Sequence, residues 1–166
     1  MIHIRAIFEH EIITIKKMAY DIWSAWYLDT IMGEKQMTYM LNMMYNEDKI
    51  KSDIDSGAIY LVIIDGNKIS GFAAYQHGLG DQNDMTKLHK LYVIPDVHKK
   101  GLGGSLFDYV EMRARENQSN GLFLHVNRQN ISVDFYKHKG MHIAKSEDND
   151  IGEGYFMYDY VMEKRF

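Results

Sequence analysis

The chain has 166 residues, 19 basic against 23 acidic, giving a formal charge of −4 at pH 7, and it contains no cysteine. This excludes a disulfide framework, a thiolate metal site and a cysteine nucleophile, and it disfavours a general binder of nucleic-acid backbone. Hydrophobic residues at 46% and charged residues at 25% describe an ordinary globular chain that can bury a core without a staple.

The start, MIHIRAIFEHEI, carries charges throughout and does not read as a secretory leader. No run of about 18 apolar residues is present. A cytoplasmic protein with no membrane or nucleic-acid partner, one domain over residues 1–166, is the expectation. Twelve methionines and eight histidines are scattered without a carboxylate-backed pair at ligand spacing, so no metal is expected.

In chain order, Ile2 and Ile4 alternate with His3 and Arg5 in a short strand over 2–7. Residues 9–28 carry Ile12, Ile15, Ala19, Ile22, Trp23 and Trp26 at helical spacing, and further helices are expected over 34–45 and 47–56. From Ala58 the period changes: IYLVIID, a turn at Gly66 and Asn67, and KISGFAAYQ form a hairpin. A third strand, 85–94, ends at the sole proline, Pro95. A helix over 103–116, a buried strand over 121–126 and a short helix over 132–138 follow. Two final strands are expected near 142–146 and 155–163, with the acidic run Glu147, Asp148 and Asp150 in a solvated loop between them. One βαβ crossover among hairpins implies an α/β (α+β) fold, a mixed and mostly antiparallel sheet with helices on both faces.

The segment KLHKLYVIPDVHKKGLGGSLFDYVEMRARE is a strand running into a glycine-rich turn that opens an amphipathic helix. Gly101, Gly103 and Gly104 let the backbone approach a ligand. The helix start, with Lys99 and Lys100 beside it, suits a pyrophosphate. The loop is neither a Walker A sequence nor a dinucleotide fingerprint. Taken alone it also reads as a glycine-rich cap with solvated lysines. About 25 residues later comes LHVNRQNISVDFYKHKGMHIA.

Together these segments resemble the GNAT superfamily of N-acetyltransferases, which use acetyl-CoA. His98, Gly101 and Gly103 fall on the family's Q/R-x-x-G-x-G/A phosphate motif, with His98 replacing Gln or Arg. Asn130, Phe135, Tyr136 and Gly140 fall on its N…FYxKxGF signature, with Met141 replacing the final aromatic. The early tryptophan-bearing helix, LHKLYV and the C-terminal GYFMYDYVMEK are similar to the bacterial polyamine (spermidine/spermine) N-acetyltransferase group.

The resemblance implies the GNAT fold and acetyl transfer from acetyl-CoA, the cosubstrate, to a small-molecule primary amine, polyamine first. It implies that the backbone of Leu91, Tyr92 and Val93 pairs with the pantetheine arm, and that His98, Lys99, Lys100, Gly101, Leu102, Gly103, Gly104 and Ser105 hold the pyrophosphate. Asn130 then either bonds the pantetheine or steadies the next helix. Tyr136 is either the acid for the departing thiolate or a core aromatic paired with Phe135.

His89, two residues before Leu91 and therefore expected on its face, is either the base or a structural histidine. Trp23, Trp26 and Tyr27 either pack in the core or face a cationic acceptor, and Asp159 is a further acceptor-binding candidate. Another amine, an antibiotic, a protein N-terminus or a silent CoA-binding module are the alternatives. A homodimer is compatible with the sequence.

Overall fold

Alternating and continuous apolar runs build one seven-stranded sheet in the order β1-β2-β3-β4-β5-β7-β6. The strands are β1 (Ile2–Ala6), β2 (Ile59–Asp65), β3 (Lys68–Leu79), β4 (Met85–Val93), β5 (Gly121–Asn127), β6 (His142–Gly152) and β7 (Tyr155–Arg165). Every pairing is antiparallel except β4 with β5. The computed structural model describes the backbone of all 166 residues and every side chain but those of His98 and Lys99.

β2 is apolar almost without a break because both of its faces are covered. On one face lie α1 (Ile12–Trp26), α2 (Glu34–Met44) and α3 (Glu47–Asp55), packed on Tyr60, Val62, Phe72 and Ala74. On the other lie α4 (Leu102–Glu116) and α5 (Ser132–His138), packed on Leu61, Ile63, Ala73 and Leu88. Leu106 and Phe107 of α4 are wholly buried there, each contributing roughly 1.5–3 kcal/mol through burial. The expected mixed sheet with helices on both faces is what forms.

Two boundaries differ from expectation for identifiable reasons. The first helix was expected from residue 9, but residues 9–11 form a 3-10 turn and α1 begins at Ile12. The Glu11 carboxylate accepts from the Phe8 amide at 2.8 Å and from both Arg5 nitrogens at 2.7 and 2.8 Å, which fixes the chain's entry there. The acidic run, expected in a loop, lies in β6, paired with β7 without a break from Lys145↔Val161 to Asp150↔Phe156 and with a bulge on either side. β6 is an edge strand with most residues exposed, so its charges remain solvated while its backbone is paired, a usual defence of an exposed edge.

Pairing between β4 and β5 stops after Thr86↔Leu122 and Lys87↔Phe123. Beyond Lys87, β4 stays paired to β3 as far as Val93, while β5 stays paired to β7 as far as Asn127. The two central strands therefore diverge, leaving a gap with unpaired backbone on its β4 edge. A bulge coincides with the divergence. Ala74 pairs with Lys90 and Tyr75 with Leu88, so His89 is an extra residue in β4, and such a residue bends and twists its strand.

Candidate active site

A cavity of about 660 Å³ occupies this gap, walled by β4, β5, β7, the C-terminal end of α1, α2 and the start of α5. The β6–β7 hairpin closes its rim. The Tyr39 hydroxyl of α2 donates to Ile151 O at 2.6 Å, and its ring lies 5.4 Å from Tyr155. Gly152 permits this approach, because a Cβ there would stand 2.8 Å from the Tyr39 oxygen.

Tyr136, on α5, is buried between Phe107 and Phe135. Its hydroxyl has no hydrogen-bond partner among the described residues, and the side chain lines the cavity. Burial, with a smaller push from Tyr27, raises its ionisation well above the phenol's usual range, so it holds its proton.

Asn130 fixes this helix. Its Oδ1 accepts from the Ser132 amide at 2.8 Å at the start of α5, and its Nδ2 donates to the Tyr27 hydroxyl at 2.8 Å. Of the two roles left open for Asn130, the observed contacts are those of the residue that steadies the helix. They also tie α5 to α1 across the gap.

The bulge corrects the expectation for His89. Leu91 packs with the α4 side of the sheet, whereas His89 Nε2 meets Gln76 Oε1 at 3.1 Å on the α3 side. The extra residue breaks the two-residue alternation, so the pair do not share a face. Gln76 Nε2 donates to Ser56 O at 3.0 Å, which turns its carbonyl oxygen toward the histidine. His89 must then donate from Nε2, leaving Nδ1 as a lone pair. Burial, reinforced by Lys87 and Lys90, pulls its pKa down to about 4, so the ring is neutral at pH 7.

At the end of α1, Trp23 and the C-cap residue Tyr27 sit one turn apart, 5.2 Å between rings, and both line the cavity. Trp23 also packs against Tyr45 and Tyr92, so the tryptophan is at once core and wall. Trp26 is turned off this face, 37% exposed and outside the cavity wall. Asp159, on β7 opposite Asn127, is buried and lines the cavity. Burial and nearby Glu147 raise its pKa.

At the other mouth, Leu91 and Val93 face α4 while the Tyr92 ring joins the aromatic cluster of Trp23, Tyr27 and Phe72. Gly101 adopts φ +74° and caps α4, a conformation that favours glycine. The Ser105 amide and hydroxyl both reach back to Gly101 O, at 3.1 and 3.3 Å. A Cβ on Gly103 would touch only Leu91, at 3.7 Å. Lys100, expected to add free charge here, is paired with Asp65 at 3.0 Å. The side chains of His98 and Lys99 lie outside the described residues.

Residues 27–163 match the family model described as an acetyltransferase (GNAT) domain. The chain belongs to the GNAT acetyltransferase family. It is accordingly an N-acetyltransferase that uses acetyl-CoA as its cosubstrate. No curated protein matches the chain.

Among solved structures, it is similar to the PaiA N-acetyltransferase of Thermoplasma acidophilum in complex with coenzyme A. That match has 22% identity and a TM-score of 0.83, over 100% of this chain and 99% of that one. The ribosomal-protein-alanine N-acetyltransferase of Brucella melitensis aligns at 17% identity and TM-score 0.71, covering 99% of each chain. The Salmonella typhimurium YncA structure with acetyl-CoA aligns at 16% and 0.69, over 99% and 94%. At these identities the likeness is one of fold.

Motif reasoning missed three residues of this GNAT cleft: Lys87, Lys90 and Arg128 all line it. A signal existed for two of them, since lysines at 87 and 90 interrupt an otherwise apolar central strand.

Proposed function

We propose that this cleft transfers acetyl to a primary amine by direct attack in a ternary complex, the two substrates entering from opposite faces of the sheet. The observation that carries this reading is the end of β4–β5 pairing at Lys87↔Phe123. It leaves the β4 edge at Leu91, Tyr92 and Val93 ready to pair with an extended pantetheine arm, as an added strand would. One of those amides polarises the thioester carbonyl.

The turn from His98 to Ser105 receives the pyrophosphate, because the first-turn amides of α4 and the helix dipole favour an anion. Gly103 leaves room for close approach, while Lys100, held by Asp65, contributes less than its formal charge.

The amine nitrogen forms the C–N bond and the C–S bond breaks. Tyr136, protonated at every physiological pH, supplies the proton the thiolate needs. His89 Nδ1 receives the proton lost by nitrogen. A ring with its pKa near 4 is too weak to strip an alkylammonium whose pKa is about 10. It acts after attack, when acylation has made the nitrogen far more acidic. Attack without an acetyl-enzyme is consistent with the lack of cysteine.

The C-terminal strand resemblance places spermidine and spermine first among acceptors. For a cation the wall offers Asp159 and the ring faces of Trp23 and Tyr27, with Trp26 outside it. Acetyl-CoA-dependent thiol release over an amine panel tests the reading. Tyr136→Phe is expected to lower kcat by about 10²-fold or more with little change in stability, since the hydroxyl has no partner to lose. Acetyl-CoA binding without thiol release for any amine would overturn it in favour of a silent CoA-binding module.

A further inference from the structure

Two lysines on the acceptor side of the gap have no ion-pair partner among the described residues. Lys90 is buried, 8% exposed, with its ammonium 4.9 Å from the Tyr45 ring centre and 5.8 Å from that of Tyr60. Lys87 is half-buried, 5.9 Å from the Phe123 ring. Neither forms an ion pair among the described residues. Of the acids that act on them, Asp53 is engaged by Lys49 at 2.8 Å and by the Tyr60 hydroxyl at 3.2 Å, and Glu147 by Lys145 at 3.0 Å, which leaves Asp159, facing Lys87. Arg128 is paired with Asp148.

Of the charges facing the cavity, two lone cations stand against Asp159, leaving one net positive charge. Burial pulls Lys90 down to about 8 and Lys87 below its ordinary value, which is the cost of holding ammonium groups away from water and from a partner.

The phosphates of acetyl-CoA do not meet this need. They belong to the turn beyond Val93, and six residues of strand place Lys87 about 20 Å before that point. Lys90 projects to the α1–α3 side, opposite α4. An anion must come with the other substrate. A neutral amine, the form that attacks, bears no charge of its own, so a carboxylate elsewhere on the acceptor is what brings an anion to the two lysines. A polyamine would bring further ammonium groups against Lys87 and Lys90.

We propose that the acceptor carries a carboxylate beside its amine, and that Lys87 and Lys90 bind it within the cleft. This inference rests on the acetyl-transfer reading above and sets a carboxylate-bearing amine ahead of the polyamine that the sequence resemblance puts first.

Matched amines that differ only in the carboxylate decide it: ornithine against putrescine and lysine against cadaverine, with spermidine as the polycation and phosphoethanolamine against ethanolamine as the phosphate arm. The carboxylate-bearing member of each of the first two pairs is expected to have a kcat/KM about tenfold higher or more, the worth of one charge-assisted hydrogen bond. Lys87→Met and Lys90→Met, which keep the stem and remove the charge, should each raise its KM about tenfold and lower that of the matched diamine, whose second ammonium no longer meets a like charge.

Preference for the diamines or spermidine, or an equal loss for both members of a pair, overturns the proposal while acetyl transfer stands. A preference confined to phosphoethanolamine overturns the carboxylate. Thermal stabilisation of the acetyl-CoA-loaded protein by the same pairs reads binding without turnover. Stabilisation by carboxylates with no thiol release would sink the transfer reading, and the acceptor role with it, leaving Lys87 and Lys90 as a carboxylate site alone; neither signal would sink both.

Discussion

The two mouths of the β4–β5 gap are made of different material. On the α4 side the ligand-facing surface is backbone: the open edge of β4, the αL turn at Gly101 and the first turn of α4. Its side chains are small or committed elsewhere, Lys100 to Asp65 and the Tyr92 ring to the core. On the α1–α3 side the surface is side chains delivered by separate elements: Tyr27 from α1, His89 and Lys90 from β4, Asp159 from β7. The difference matches what each mouth must recognise. A cosubstrate common to a family can be held by amides that any sequence supplies, provided the glycines stay. An acceptor peculiar to one enzyme is chosen by groups that can change without moving the frame.

The sharpest break of that comparison is at the side-chain mouth. Replacing His89 with Gln is expected to lower kcat about a hundredfold while leaving acetyl-CoA affinity intact. The pH profile identifies the group. The lone pair is present above a pKa of about 4 and lost below it, so the acid limb of kcat/KM, corrected for ionisation of the amine, falls near pH 4. It should vanish in the variant. A limb near the ordinary histidine value of 6.5 would show a different residue at work.

At the backbone mouth the expected effect is smaller and opposite in its partition. Gly103→Ala puts a Cβ into ordinary contact with Leu91, and Ala is the better helix former by up to about 1 kcal/mol. Stability should hold or rise slightly, while the acetyl-CoA Kd weakens about tenfold because the methyl group occupies space reserved for the ligand. Unchanged affinity would reduce the turn to a helix cap. Calorimetric titration with acetyl-CoA beside a thermal melt separates the two.

This asymmetry also decides what could be read from the chain. The glycine turn and Tyr136, on which the proposed site is built, could be singled out from the chain because they lie in contiguous segments, a strand, a turn and a helix start, then one short helix. The order of sheet and helices was legible for the same reason, from local periodicity. The bulge was not: alternation counts residues and has no means of seeing that Ala74 and Tyr75 face Lys90 and Leu88, which sends His89 to the other side. Nor was β6, where solvated acids look alike on an edge strand and in a loop. Lys87 and Lys90 stood in plain view in LHKLYV, but their lack of partners is a tertiary fact, set by Lys49 and Lys145 having taken the nearby carboxylates.

Asn130 joins the two mouths, and it provides the finest test of whether they are independent. Asn130→Ala loses both the bond to the Ser132 amide and the one to the Tyr27 hydroxyl, at a cost of about 1–2 kcal/mol, or roughly 3–6 °C in Tm. Asn130→Ser separates the contributions. Its hydroxyl still accepts from the Ser132 amide at the start of α5, but it is too short to reach the Tyr27 hydroxyl. If α5 alone places Tyr136, the Ser variant recovers both stability and kcat. If Tyr27 must also be held, stability returns and the amine KM does not, because the acceptor wall has lost its tie to the helix that carries the acid. The second result would mean that the mouth built of backbone and the mouth built of side chains are set in register by one amide group.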